Sequence, residues 1–169
     1  MNAHPQPKEL AMRPMLPADV PLLAEIFRAA IEELTAEDYS DAQQEAWAES
    51  ADDLEAFGAK LAGELTLVAT FAGSAIGFAS LADNMRIDMV YVHPAAAGQG
   101  VGSMLVDALE KLAASRGAAR LSADVSDSAE EFFRRRGFVP RQRNTVPVGG
   151  EWLANTTMEK QLAAKERAS

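Results

Sequence analysis

The chain contains no cysteine. Disulfides, thiol nucleophiles and thiolate metal ligands are therefore excluded. Histidine is almost as scarce: His4 and His93 are the only two imidazoles. That is too few for a histidine-rich metal centre, so no metal is expected. Lysine and arginine number 16 against 25 acids, a formal net charge of −9. Nucleic acid is not an expected partner, because neutralising its phosphates takes clustered cations. No run reaches the roughly 18 apolar residues of a membrane span. Residues 1–10 are polar, with Pro5 and Pro7, where a secretory leader needs an apolar stretch. The expectation is a cytoplasmic protein with no membrane partner.

What is present fits a globular core: 48% hydrophobic and 24% charged residues over 169 positions. Residues 1–10 and the polar end, 163–169, read as tails around one domain at 11–162. Leu10 to Met15 reads as a first strand. Leu23, Ile26, Phe27, Ala30, Ile31 and Leu34 then recur at helical spacing and predict a helix from about Pro17 to Leu34. Residues 35–64 predict one or two more helices. Acids crowd this region, with Arg28 the only base between Asp19 and Glu55. Leu65–Phe71, Ala75–Leu81 and Met85–Val92 read as strands joined by turns at Gly73 and at Asp83-Asn84.

A helix from Val101 is stopped by Gly117. A short strand at Arg120–Ala123, a short helix at Ser128–Arg136 and a final hairpin follow. The hairpin strands are read at Phe138–Arg143 and Glu151–Glu159, around Gly149-Gly150. The strand–helix–strand unit from Met85 to Ala123 requires two parallel strands. The fold class is thus α/β, a mixed sheet with helices on both faces.

The chain is organised around Met89 to Ser103. A strand ends at His93-Pro94, and Gly98, Gly100 and Gly102 then open a helix. A helix N-terminus offers unpaired N–H groups and a positive dipole end to an anion such as a phosphate. A nucleotide P-loop would need a lysine after the glycines, and Ser103 follows directly. A dinucleotide turn is a closer rival, with Asp124 placed to meet a ribose. Against it, Ser103 stands where the third glycine belongs, and five residues separate strand from turn.

Three segments carry a resemblance. Val92-x-Pro94-x-x-x-Gly98-x-Gly100-Val101-Gly102 resembles the acetyl-CoA pyrophosphate loop of the GNAT acetyltransferase superfamily. Ala129-x-x-Phe132-Phe133-x-x-x-Gly137-Phe138 is similar to its second motif. Leu153 to Lys160 resembles the last strand of a bacterial branch, in which Tyr39-like and Trp47-like residues are also common. The resemblance covers roughly 11–162. It implies the GNAT fold, a central mixed and mostly antiparallel sheet. It also implies acetyl-CoA as donor, with direct acetyl transfer to an amine in a ternary complex. Three positions depart from the pattern: Ala97 where Gln or Arg is usual, Ser126 where Asn is usual, and Phe133 where a tyrosine often protonates the leaving thiolate.

The resemblance implies that the backbone from Ala97 through Gly98, Gln99, Gly100, Val101, Gly102 and Ser103 holds the pyrophosphate. It also implies that Val90, Tyr91, Val92, Ser126 and Phe133 line the rest of the cofactor, and that the Val92 N–H meets the thioester carbonyl. Strand parity puts Asp88 on the face of Val90 and Val92, which makes it the first candidate base, with His93 the alternative by pKa. Tyr91 or Tyr39 could protonate the thiolate. Arg134, Arg135 and Arg136 either complement a helix dipole or meet nucleotide phosphates. Tyr39, Trp47 and Asn155 are the candidate acceptor residues. The acceptor is expected to be a small-molecule or peptide amine, and a homodimer is compatible with the family. A non-catalytic acyl-CoA-binding protein is the second reading, and an NAD(P)-binding oxidoreductase the third.

Overall fold

The computed structural model describes residues 9–162; the predicted tails at 1–8 and 163–169 lie outside the described residues. Leu10, expected to open the first strand, pairs with Phe71. The first strand, β1 (Leu10–Pro14), leads through a 3-10 turn at Pro17–Asp19 into α1 (Val20–Leu34). Both prolines are accommodated because Pro17 opens the turn and Pro21 falls in the first turn of α1, where no intrahelical N–H is lost. The acidic stretch forms α2 (Asp41–Ala48) and α3 (Leu54–Ala62). Ser40 and Gln43 cap α2 reciprocally, and the Asp53 carboxylate accepts from the Ala56 N–H at the start of α3.

Three strands follow, β2 (Leu65–Phe71), β3 (Ser74–Ala82) and β4 (Arg86–Val92), then α4 (Val101–Ser115) and β5 (Arg120–Ser126). The chain ends with α5 (Glu130–Arg135), β6 (Val139–Val148) and β7 (Glu151–Gln161). The sheet order is β1-β2-β3-β4-β5-β7-β6. Every neighbouring pair is antiparallel except β4–β5. A doubly wound dinucleotide fold needs a parallel sheet, so the oxidoreductase reading loses its scaffold.

Two of the sequence boundaries fell short. The strand expected at Arg120–Ala123 runs on to Ser126, and the hairpin strand expected to stop at Arg143 continues to Val148. The added stretch contains Pro147, which has no N–H to give to a ladder. It is tolerated because β6 is the outermost strand and has a free edge for a residue without an N–H.

The sheet's alternation sends side chains into two cores. Leu67, Ala79 and Leu81 pack with Leu105 and Leu109 of α4, whereas Val68 and Phe78 pack with Phe27 and Ile31 of α1 and Phe57 and Leu61 of α3. Helices thus cover both faces. Among the described residues no helix is long and apolar enough to cross a membrane.

Candidate active site

The site is built on an interruption of the sheet. The parallel pair β4–β5 is held in register only at Arg86↔Ser122 and Ile87↔Ala123. Beyond these residues the strands part. A cavity of about 330 Å³ occupies the gap, reaching from α1 and α2 on one side to α5 on the other.

The ladder on the other side of β4 decides where its amides point. His93 N–H donates to the Ile76 carbonyl at 2.9 Å. In an antiparallel ladder, hydrogen-bonded and non-bonded pairs alternate. The next pair, Gly77↔Val92, is therefore non-bonded, and so is Ala79↔Val90. The N–H groups of Val92 and Val90 consequently face away from β3, into the split.

The glycine stretch continues directly from that strand. The Nδ1 of His93 accepts the Ala95 N–H at 3.0 Å and caps a 3-10 turn at Pro94–Ala96. One imidazole nitrogen is thereby committed to structure. Gly98 and Gly100 have φ of 77° and 85°, a region that side chains rarely adopt. Gly100 is the N-cap of α4 and supplies no side chain to satisfy its first amides. No atom lies within 4 Å of where a Cβ would stand on either glycine. Ala97 through Gly100 are exposed. The result is an open cradle of backbone donors at the dipole's positive end, and a pyrophosphate fits it. Val101, Gly102 and Ser103 form the first turn, with the Phe132 ring 3.5 Å from a notional Gly102 Cβ.

Asp88 is not where parity placed it. Leu81 pairs with Ile87 and Ser80 with Met89, so Asp88 is an extra residue, a β-bulge. The bulge inverts the alternation. Ile87, Val90 and Val92 pack against the α4 side, and Met89 and Tyr91 against the α1–α3 side. Asp88 joins the latter, bonded to Lys60 of α3 at 3.0 Å and to Arg86 at 2.5 Å. Burial pushes its pKa up, but the hydrogen bonds from Lys60 and Arg86 outweigh this and hold the carboxyl below its ordinary value. Glu64, in the same cluster, is raised by burial, with the nearby Asp88 charge adding to it. Asp88 still lines the cavity.

Tyr91 borders the same gap, and burial raises its hydroxyl well above the usual tyrosine value. Its ring meets Phe27 edge-on at 4.7 Å. Tyr39, Trp47 and Asn155 are brought together at the cavity, with the Tyr39 and Trp47 rings 5.3 Å apart. The Tyr39 hydroxyl is fully engaged. It donates to Ala154 O at 2.7 Å and accepts from the Asp127 N–H at 2.9 Å, and burial raises its pKa. Asn155 Oδ1 accepts from Asn144.

On the far wall, Ser126 Oγ accepts the Ala129 N–H at the start of α5, and Phe133 is buried edge-on to Phe132 and Phe138. Arg134 and Arg135 bond Glu130 and Glu131 one turn back on α5, and Arg136 bonds Asp107 of α4. All three arginines therefore have carboxylate partners. Among the described residues no three His, Asp or Glu side chains group as a metal site.

The structure adds wall residues that had not been named as site residues, Leu34, Val146 and Leu153, and sets Asp124 beside them. Asp124 alone had drawn notice, as a ribose ligand in the dinucleotide reading. Its place on the face of β5 opposite the buried Leu121, Ala123 and Val125 was legible in the alternation.

The family model of the acetyltransferase (GNAT) domain matches residues 35–162. The chain belongs to the GNAT family. It is 32% identical over 149 residues to YafP of Escherichia coli (strain K12), described as an uncharacterized N-acetyltransferase, across 88% of this chain and 94% of that protein. The crystal structure of a GCN5-related N-acetyltransferase from Rhodopseudomonas palustris superposes with a TM-score of 0.89 at 59% identity, covering 90% of this chain and 95% of that one. YncA of Salmonella typhimurium, a putative acetyltransferase solved with its cofactor acetyl-CoA, has a TM-score of 0.62 at 24% identity over 91% and 94% of the two chains. That last likeness shows the GNAT fold alone.

Proposed function

We propose that this GNAT protein is an acetyl-CoA-dependent N-acetyltransferase that moves the acetyl group directly to an amine in a ternary complex. One observation carries the reading. The free amide of Val92 and the open donor cradle of α4 lie on one continuous stretch of chain, beside a cavity that passes through the sheet. When bound, acetyl-CoA supplies the acetyl group as a thioester, so that a C–N bond forms while C–S breaks, the amine loses a proton and the sulfur gains one.

The chain's own residues then have definable roles. The N–H groups from Gln99 to Ser103 hold the pyrophosphate, and the wall at Phe133 and Ser126 borders the arm that follows. The Val92 N–H faces the carbonyl oxygen on which negative charge develops, and such preorganised donors lower the barrier. Asp88 is kept ionised by Lys60 and Arg86, which makes it a weak proton acceptor. With that carboxylate held in its two ion pairs, the amine proton leaves to water. Tyr91 lines the gap, holds its proton at neutral pH and is the candidate donor to the leaving sulfur. A thiol of pKa about 8.5 also leaves acceptably without one.

The test is calorimetry with CoA, followed by thiol release across an amine panel. Tight CoA binding and amine-dependent release are expected. CoA binding with no release by any amine leaves a non-catalytic acyl-CoA-binding protein. No CoA binding sinks the reading.

A further inference from the structure

The charges on the cavity wall are few and of one sign. Among the described residues, Asp88 and Asp124 are the only charged ones lining it, and no Lys, Arg or His does. The two aspartates stand one residue past Ile87 and Ala123, the last pair that joins β4 to β5, so they flank the opening of the split. Their circumstances differ. Asp88 is neutralised by Lys60 and Arg86. Asp124 has no cation within ion-pair distance among the described residues. Its Oδ1 accepts from the Thr157 hydroxyl at 2.6 Å, and Thr157 accepts in turn from Asn144 at 2.8 Å. One carboxylate oxygen is thus fixed by a side-chain network, and the exposed side chain leaves the other available. The arginines nearby are committed, Arg86 to Asp88 and Arg143 to Asp127 through two bonds. Ile31, Leu34, Trp47, Val146 and Leu153 make much of the acceptor side apolar, with Thr35, Tyr39 and Asn155 as the uncharged polar side chains among them.

We infer that the acceptor is a primary amine on an apolar body without a carboxylate, and that Asp124 holds its ammonium group. This rests on the acetyltransferase reading above and narrows its substrate. An ammonium entering the split meets a preoriented carboxylate and forms a charge-assisted hydrogen bond. A free amino acid would bring a carboxylate into a wall with no cation to pair it and with the unneutralised Asp124 to repel it. The apolar walls reward an acceptor that gives up hydrocarbon surface to them.

The experiment compares phenethylamine, phenylalanine methyl ester, phenylalanine and putrescine as acceptors, by thiol release and by calorimetry on the CoA complex. Phenethylamine and the ester should exceed phenylalanine by about 100-fold in kcat/KM. Putrescine, cationic but lacking the apolar body, should also trail. Asp124→Asn should raise the KM for phenethylamine by about tenfold or more and narrow the gap to phenylalanine, with CoA affinity and melting temperature unchanged. Thr157→Val, which frees the carboxylate from its tether but keeps its charge, should produce a smaller rise. The inference is overturned if phenylalanine matches its ester, if putrescine outpaces phenethylamine, if phenethylamine neither binds nor reacts, or if Asp124→Asn leaves KM unmoved. Failure of CoA to bind would instead remove the acetyltransferase reading itself.

Discussion

The hydroxyl of Tyr39 donates to the carbonyl of Ala154, 115 positions along the chain, at 2.7 Å. It also accepts from the Asp127 amide, and Gln43 of α2 donates to the Trp152 carbonyl. The tip of the last hairpin rests on the same helix, since a Cβ on Gly149 would come within 3.1 Å of the Ala46 Cβ. These contacts join the helical segment to β7 over the acceptor side of the cavity. Tyr39→Phe takes the hydroxyl away from a half-buried N–H and C=O, at a cost of about 1 kcal/mol in chemical denaturation. The acceptor KM should rise while CoA affinity stays near wild type.

Gly100→Ala separates the cradle from general stability. An alanine at φ 85° costs about 1–2 kcal/mol, and its methyl group would stand in the open space of the proposed phosphate cradle. CoA affinity measured by calorimetry should fall about tenfold or more. Gly73→Ala is the control, because Gly73 has a φ of 89° in the β2–β3 turn, remote from the site. It should lose comparable stability and keep its affinity for CoA.

Asp88 makes the stability of the protein depend on acidity. Folding depresses its pKa, so its contribution is complete above the unfolded value near 3.9 and is lost as pH falls through the lower folded value. Asp19, lowered chiefly by the hydrogen bond from Arg13, acts in the same sense. Glu64 acts oppositely: its raised pKa means that folding favours the protonated form, and it weakens the fold at neutral pH. Asp88→Asn should therefore destabilise at pH 7, and its deficit should shrink away as pH falls through the depressed folded-state value. Glu64→Gln should match or exceed wild type at pH 7. Urea titrations at several pH values read both.

Tyr91→Phe tests whether the leaving thiolate needs a protein donor. Since a thiol near pKa 8.5 departs without assistance, kcat should drop by less than about tenfold, against the 10²–10⁴ typical of an essential general acid. A larger loss that deepens at high pH would make Tyr91 that acid.

The glycine cradle was legible in the sequence because its signals are local. Gly98 and Gly100 need positive φ, and the periodicity of α4 begins at Val101. The parallel pairing of β4 with β5 followed from chain handedness and connection length. What misled was a single unmatched residue. Alternation along β4 assumes a regular pleat, and a bulge at Asp88 leaves no signature in residue type, because it arises from how β3 and β4 seat together. The wall at Val146 was hidden for a related reason. Pro147 disfavours strand until β6 is known to be the edge, and sheet order is set by packing across the whole molecule. The engagement of Tyr39 with Ala154 and Asp127 likewise joins segments whose proximity only the fold creates.

The two residue pairs between β4 and β5 also divide the sheet mechanically, into an antiparallel block of four strands and one of three. Each block is braced by its own long ladders, whereas the seam between them is short. Strain that tilts one block against the other therefore falls on the seam and leaves both ladders intact. The gap's width is accordingly an independently adjustable dimension of this scaffold. Substitutions at Arg86, Ile87, Ser122 and Ala123 should reset the size of group the split admits, while the donor cradle on α4 keeps its shape.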